Sequence, residues 1–242
     1  MKVGLEAGDS VFTHSNIGFF GKLEGAENPQ DYYRIFKEAI FEVIGEKGAW
    51  ILPAFSYSFC RKEIFDVKKT PGVGGILSEM MRNDPQSLRS IDANFSVVAI
   101  GDKAKYFTED APDHSFGDGC FWEKFLKEEG KFCNFNFDAG STFIHHVEKV
   151  LKVPYRYDKA FPGQTLVDNK LVERVFCHFV YDLDKPETGP VFTKFNKRAK
   201  ELGLVRTSKL GKGEIVLITA RDVLNLIKTE IKKDPGFLIR GE

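Results

Sequence analysis

His145 and Glu148 are the two residues of this chain whose types and spacing could do chemistry together. Three positions apart in a helix, their side chains share a face and can touch. Imidazole is the side chain whose ordinary pKa lies near neutrality, so His145 can accept a proton at physiological pH. A carboxylate beside it fixes the ring tautomer and stabilises the imidazolium that forms. The pair reads as a general base and its orienting acid, against the plainer alternative of a polar surface histidine or a satisfied core one. A zinc site is set aside: a third ligand at useful spacing is missing, the cysteines form no Cys-x-x-Cys pair, and the order differs from His-Glu-x-x-His.

These two residues need a helix, and the stretch from Asp138 to Glu148 reads as a turn feeding one. Gly140 lets the backbone bend, and Ser141 or Thr142 is expected to cap the free amides of the first turn. Lys131 to Phe137 alternates like a strand and delivers the chain to that turn. Near the start, a short strand over Val11 to Ser15 runs into Asn16-Ile17-Gly18-Phe19-Phe20-Gly21. Glycines in a loop after a strand let a ligand approach the backbone, so this loop reads as a cradle for a phosphate or pantetheine arm or as an ordinary connection. Neither a Walker nor a Rossmann glycine pattern is present.

Asn28-Pro29 opens a helix through Ile44, with Tyr33, Phe36, Ile40, Phe41 and Ile44 as its buried stripe. Ala49 to Leu52 is expected to be a strand covered on both faces, with Pro53 to Ser58 at its carboxyl end, where α/β proteins place ligands. Arg61 to Thr70 reads as a loop and Ile76 to Arg82 as a helix. Leu88 to Asn94 then reads as a polar connection and Phe95 to Gly101 as a strand, with helices over Lys103 to Phe107 and Phe121 to Glu129. The texture changes beyond Pro162-Gly163: a strand over Leu171 to Tyr181 with His178 as filling, a loop to Pro190, a helix over Phe192 to Leu202, a strand over Glu214 to Ile218 and a closing helix over Arg221 to Ile231. Interleaved helices and strands predict a layered α/β architecture, as one domain over residues 1–242 with a smaller subdomain at about 164–212 left open.

At 242 residues the chain can bury a substantial core, and its 23 phenylalanines predict an aromatic one. Lys plus Arg balances Asp plus Glu at 35 each, which supplies no nucleic-acid surface; Lys68-Lys69 and Lys232-Lys233 read as solvated faces. Cys60, Cys120, Cys133 and Cys177 are far apart and expected as reduced thiols. The first ten residues lack the apolar stretch of a signal peptide, and no run is long enough to cross a bilayer, so a cytoplasmic protein is expected; a homodimer is left open.

The chain resembles the aminoglycoside 3-N-acetyltransferase family, also called the antibiotic N-acetyltransferases. The family's central T-x-x-H-x-x-E falls on Thr142, His145 and Glu148, and its opening G-D-x-V-x-x-H-S on Gly8, Asp9, Val11, His14 and Ser15. The P-x-F-S strand end is matched by Pro53, Phe55 and Ser56, the T-P-G-x-G helix start by Thr70 to Gly74, and the R-S…S segment by Arg89, Ser90 and Ser96. The matches run in order from Gly8 to about Gly163 and continue thinly beyond.

The resemblance implies an α/β sandwich with a mixed central sheet, using acetyl-CoA directly and no metal. His145 would take the proton of a substrate amine, with Glu148 behind it, while Asp138 and Asp182 stay open as competing acids. Thr142, at a helix N-terminus where amide dipoles converge, would stabilise the oxyanion. Ser15, Asn16, Ile17, Gly18 and Gly21, with Ser90 and Ser96, would face the CoA arm; Phe55, Asp92, Asp138 and Arg156 would face the amine. Direct transfer is the simpler route, and an acyl-enzyme on Cys120 is the alternative. Many resistance enzymes of this family carry His-Pro where this chain has Asp92-Ala93. Overall neutrality and the Lys149, Lys152, Arg156 and Lys159 rim favour an anionic acceptor, a nucleotide-linked amino sugar, over a polycationic aminoglycoside.

Overall fold

The computed structural model describes residues 3–239. In chain order its first elements are β1 (Ser10–Phe12), α1 (Pro29–Ile44), β2 (Ala49–Pro53), β3 (Phe65–Asp66), α2 (Ile76–Arg82), β4 (Leu88–Arg89), β5 (Val97–Ile100), α3 (Ala104–Thr108) and α4 (Phe121–Lys127). There follow β6 (Lys131–Phe135), α5 (Phe143–Val150), β7 (Arg156–Val167), β8 (Lys170–Tyr181), α6 (Thr193–Glu201), β9 (Arg206–Leu210), β10 (Gly213–Thr219) and α7 (Ala220–Lys233).

Seven strands form a mixed sheet in the order β4-β5-β2-β1-β6-β10-β9. Its centre is parallel, β1 pairing with β2 on one side and β6 on the other, and its flanks are antiparallel. Strand alternation sorts the core. Phe12, Ile51, Val97, Ala99 and Phe132 point to one face, where they meet Phe121, Phe125, Phe143 and Val223 from the helices. Val11, Trp50, Leu52, Val98 and Phe135 point to the other, against Phe36, Ile40 and Ile44 of α1. Both faces are covered, which is why Ala49–Pro53 is apolar and buried at every position. At the start of α1, Asn28 and Asp31 close the capping box that Asn28-Pro29 signals.

A second sheet, β3-β7-β8, is dominated by the twelve-residue ribbon of β7 against β8. The pattern of residues does not announce β7, because Pro162-Gly163 reads as a break. Proline is tolerated here since β3 pairs only with Thr165 and Leu166, leaving the Pro162 stretch of that side as an open edge. Gly163 is required by a close approach: a Cβ there would stand 2.6 Å from the Phe59 ring. The stretch expected as a polar connection at Leu88 to Asn94 begins with β4, which pairs with Val98 and Ala99. The loop expected from Arg61 to Thr70 contains β3, and β9 precedes the Gly211–Gly213 turn. Among the described residues no helix is long and apolar enough to cross a membrane.

Candidate active site

Because β1, β2 and β6 are parallel, their carboxyl ends open on one edge of the sheet, and the chain leaving each contributes to that edge. Asn134 on β6 ties two of these exits together: its side chain accepts from His14 N at 3.1 Å and donates to Asp138 O at 2.7 Å. The turn into α5 is held by Asn196 of α6, whose Oδ1 accepts from Gly140 N at 3.0 Å. The third exit approaches closely at Gly74, where a Cβ would stand 2.2 Å from Pro53 O.

Helix α5 starts without the expected side-chain cap. Thr142 already has helical dihedrals, φ −58° and ψ −22°, whereas a capping hydroxyl needs an extended backbone at that position. The carbonyls of Ser141 and Thr142 accept instead, each at 3.1 Å, from Ile144 N and His145 N. Ser141 Oγ is left buried without a partner.

On α5, Phe143, Ile144 and Val147 anchor the helix in the core, and the spacing brings His145 Nδ1 to 2.7 Å from Glu148 Oε2. Glu148 is fully buried, while the His145 side chain keeps 19% of its exposure. The first residue of β7 supplies the counter-charge: Arg156 Nε lies 2.7 Å from the same Oε2, with its own side chain buried. A guanidinium does not lose its proton, so the carboxyl it faces is held as a carboxylate, an acceptor only. Burial alone would raise the pKa of Glu148, but the hydrogen bond from His145 and the charge of Arg156 hold it below its usual range. The proton on the His145–Glu148 bond therefore sits on Nδ1, and Nε2 carries the free lone pair. Burial pushes the His145 pKa below its ordinary 6.5 and the Arg156 charge adds to this, with the Glu148 bond acting in the opposite sense. Neutral at pH 7, oriented and partly open, the imidazole has what a general base requires. Tyr155 joins the cluster: burial and then the Glu148 charge raise its hydroxyl above the ordinary range. The rings of Phe116 and Phe192 stand 5.9 and 5.8 Å from the imidazole.

His146 has a different part. Its Nδ1 accepts from Gly117 N at 3.3 Å and faces Cys120 Sγ at 3.5 Å, and burial lowers its pKa to about 4. Burial likewise pushes the Cys120 thiol up to about 11. A buried thiol beside a base that weak stays protonated, so the structure gives no support to an acyl-enzyme there. Cys120→Ala is expected to keep turnover within about twofold of wild type, read by thiol release; a hundredfold loss would reinstate the cysteine.

The other residues expected to bind are dispersed. Ile17, Gly18 and Gly21 line a cleft of about 520 Å³ together with Lys22, Tyr32 and Ile76. Ser15 bridges to Phe135, and Asn16 N donates to Phe135 O, at the rim of the same loop. Ser90 and Ser96 are not brought to that loop's surface. The Ser90 hydroxyl accepts from Val97 N, and Ser96 Oγ donates to Ala54 O and accepts from Arg89 Nε, so both hydroxyls are engaged within the protein. Phe55 packs edge-on against Phe95, and Asp138 is exposed, 3.8 Å from Lys200. Asp92 is buried, accepting from Asn94 N and Phe95 N. Arg156, expected at an exposed rim, is turned inward, with its Nε 2.7 Å from Glu148 Oε2. Tyr155, Phe116 and Phe192 are the neighbours that residue patterns did not reveal, since their closeness depends on three separate loops meeting. Among the described residues no group of three or more His, Cys, Asp or Glu side chains is arranged to hold a metal ion.

Comparison with known proteins bears on this geometry. A family model described as aminoglycoside 3-N-acetyltransferase matches residues 12–232. The aminoglycoside N(3)-acetyltransferase VII of Streptomyces paromomycinus is 23% identical over 251 residues, 92% of this chain and 85% of that protein. The aminoglycoside N(3)-acetyltransferase III of Enterobacter cloacae is 23% identical over 262 residues, covering 97% and 89%. The solved structure of AAC-IIIb with CoASH superposes with a TM-score of 0.80 at 22% identity, covering 96% of this chain and 92% of that one. AAC-VIa bound to sisomicin gives 0.79 at 20% identity, covering 96% and 93%. At these identities the two structures share the fold.

Proposed function

The chain belongs to the aminoglycoside 3-N-acetyltransferase family and is an acyltransferase using acetyl-CoA, and from that premise we propose that it acetylates an amino group of an aminoglycoside with His145 as the base. The observation that carries the mechanism is the 2.7 Å contact of His145 Nδ1 with a carboxylate oxygen that Arg156 also faces. It leaves Nε2 as the proton acceptor.

The amine arrives largely as an ammonium ion. His145 Nε2 removes one proton, and the freed nitrogen attacks the thioester carbon. Glu148 stabilises the imidazolium that results. Stabilisation of the oxyanion falls, in this reading, to the dipole of α5, whose amino end is at Thr142. Collapse expels the CoA thiolate, which takes up the second proton of the nitrogen. The cleft at Ile17, Gly18, Gly21 and Ile76 suits a narrow pantetheine arm, with exposed backbone at the glycines, apolar walls at the isoleucines and Lys22 as a cation.

The acceptor is supported by the two relatives described above, both named for aminoglycosides, over the nucleotide-linked amino sugar that charge balance suggests. Bulk neutrality says little about a site. Of the basic residues flanking α5, Arg156 is committed to Glu148 and Lys149 to Asp158, so neither is a free anion receptor. A thiol-release assay with acetyl-CoA tests this. Sisomicin or kanamycin is expected to exceed a UDP-linked amino sugar in kcat/KM by at least about tenfold. The reverse order restores the amino-sugar reading, and no release with any amine favours a CoA-binding module without catalysis.

A further inference from the structure

We propose that the buried Asp92–Ser115–His178 bridge is a positioning device that holds the Phe116 ring against the imidazole of His145. The inference rests on His145 as the base. Ser115 Oγ donates to Asp92 Oδ2 and stands 2.7 Å from His178 Nδ1. The other ring nitrogen of His178, Nε2, meets the side-chain nitrogen of Asn94 at 2.5 Å. Asn94 Oδ1 accepts from Phe59 N and Cys60 N, so its nitrogen is the donor. The donors consequently run one way: Asn94 to His178 Nε2, His178 Nδ1–H to Ser115 Oγ, and Ser115 O–H to Asp92. Asp92 Oδ1 ends the chain by accepting two backbone amides at 2.9 Å. Asp92, Asn94, Ser115 and His178 are all buried, and acetyl transfer as described uses none of them.

The bridge fixes a segment whose next residue is at the site. Ser115 N donates to Cys177 O and Cys177 N to Asp113 O, laying residues 113–115 along β8. Phe116 then meets the His145 ring edge-on, at 5.9 Å and 84°. Phe95 closes the arrangement, with its ring 5.3 Å from Phe116 and 5.1 Å from His178. The groups bearing on His145 are Glu148 from its own helix, Arg156 from β7 and, through Glu148, Tyr155; Phe116 and Phe192 bring only apolar surface. A ring held there excludes water and keeps Nε2 aimed, and misplacement of a reacting group on the ångström scale costs rate steeply.

Ser115→Ala removes the hydroxyl and leaves Asp92 and His178 facing each other without it. The protein is labelled with 15N-histidine, and the His145 signal is assigned by its absence in His145→Ala. In Ser115→Ala the His145 imidazole is expected to titrate at higher pH than in wild type, because water gains the ring. The variant's kcat should fall about tenfold with KM for acetyl-CoA within about twofold. Ser115→Thr, which retains the hydroxyl, should restore both. Phe116→Leu should reproduce the shift, and adding Ser115→Ala to it should cost no more, since the two act through one contact. A folded Ser115→Ala with unchanged His145 titration and kcat overturns the proposal, as do effects of the two substitutions that multiply. If Ser115→Ala does not fold, Ser115→Cys takes its place with the same expected and contrary results. The titration needs no turnover: absence of acetyl transfer in wild type would sink the functional reading, while the shift of the imidazole decides this one separately.

Discussion

Glu148→Ala is expected to destabilise the fold by about 3–5 kcal/mol, because it strands the Arg156 guanidinium in the interior without a counter-charge. Both side chains are almost wholly removed from water, at 3% and 0% exposure, so solvent cannot take over the missing partner. The same change lowers kcat by about a hundredfold, since nothing then holds the proton of His145 on Nδ1 or stabilises the imidazolium. The two losses separate in a double variant. Glu148→Leu with Arg156→Met removes both charges and fills the volume, so unfolding in urea should return toward wild type while turnover stays low. A Glu148→Ala protein within about 1 kcal/mol of wild type would mean that Arg156 does not depend on this carboxylate.

His145→Ala removes the base itself and should lower kcat by about two to four orders of magnitude, with CoA binding largely intact. The split follows from geometry. The cleft lined by Ile17, Gly18, Gly21 and Ile76 is built from the early loop and the starts of α1 and α2, none of which contains residue 145.

Much of this is legible in the sequence. The His145–Glu148 pair follows from helical spacing, and α1 from a capping residue, a proline and a periodic stripe. These are local signals, so neighbours in sequence carry them. What stayed hidden is long-range. Arg156 reads as part of a basic rim, whereas the fold buries its side chain against Glu148. Ser90 and Ser96 are assigned to the CoA arm by the family resemblance alone, and the fold buries both, with Ser90 Oγ accepting from Val97 N and Ser96 Oγ donating to Ala54 O. The strand through Pro162-Gly163 is masked by residues that break central strands, and it survives because that stretch lies at an open edge. The basic rim is a further case: Lys149 and Arg156 stand out in the sequence, while the acids that pair with them, Asp158 and Glu148, are identified only by the fold.

The pH dependence of kcat/KM in wild type and His145→Ala tests the assignment most directly. A base must be neutral to act, and burial holds the His145 pKa below 6.5. His145 therefore stays competent at pH 7, and activity falls only as pH drops below 6.5 and the ring takes up a proton. Wild type should show that acid limb, and His145→Ala should lack it, with the residual rate following the free amine alone. The same acid limb in both proteins, at similar turnover, would remove residue 145 from the proton transfer.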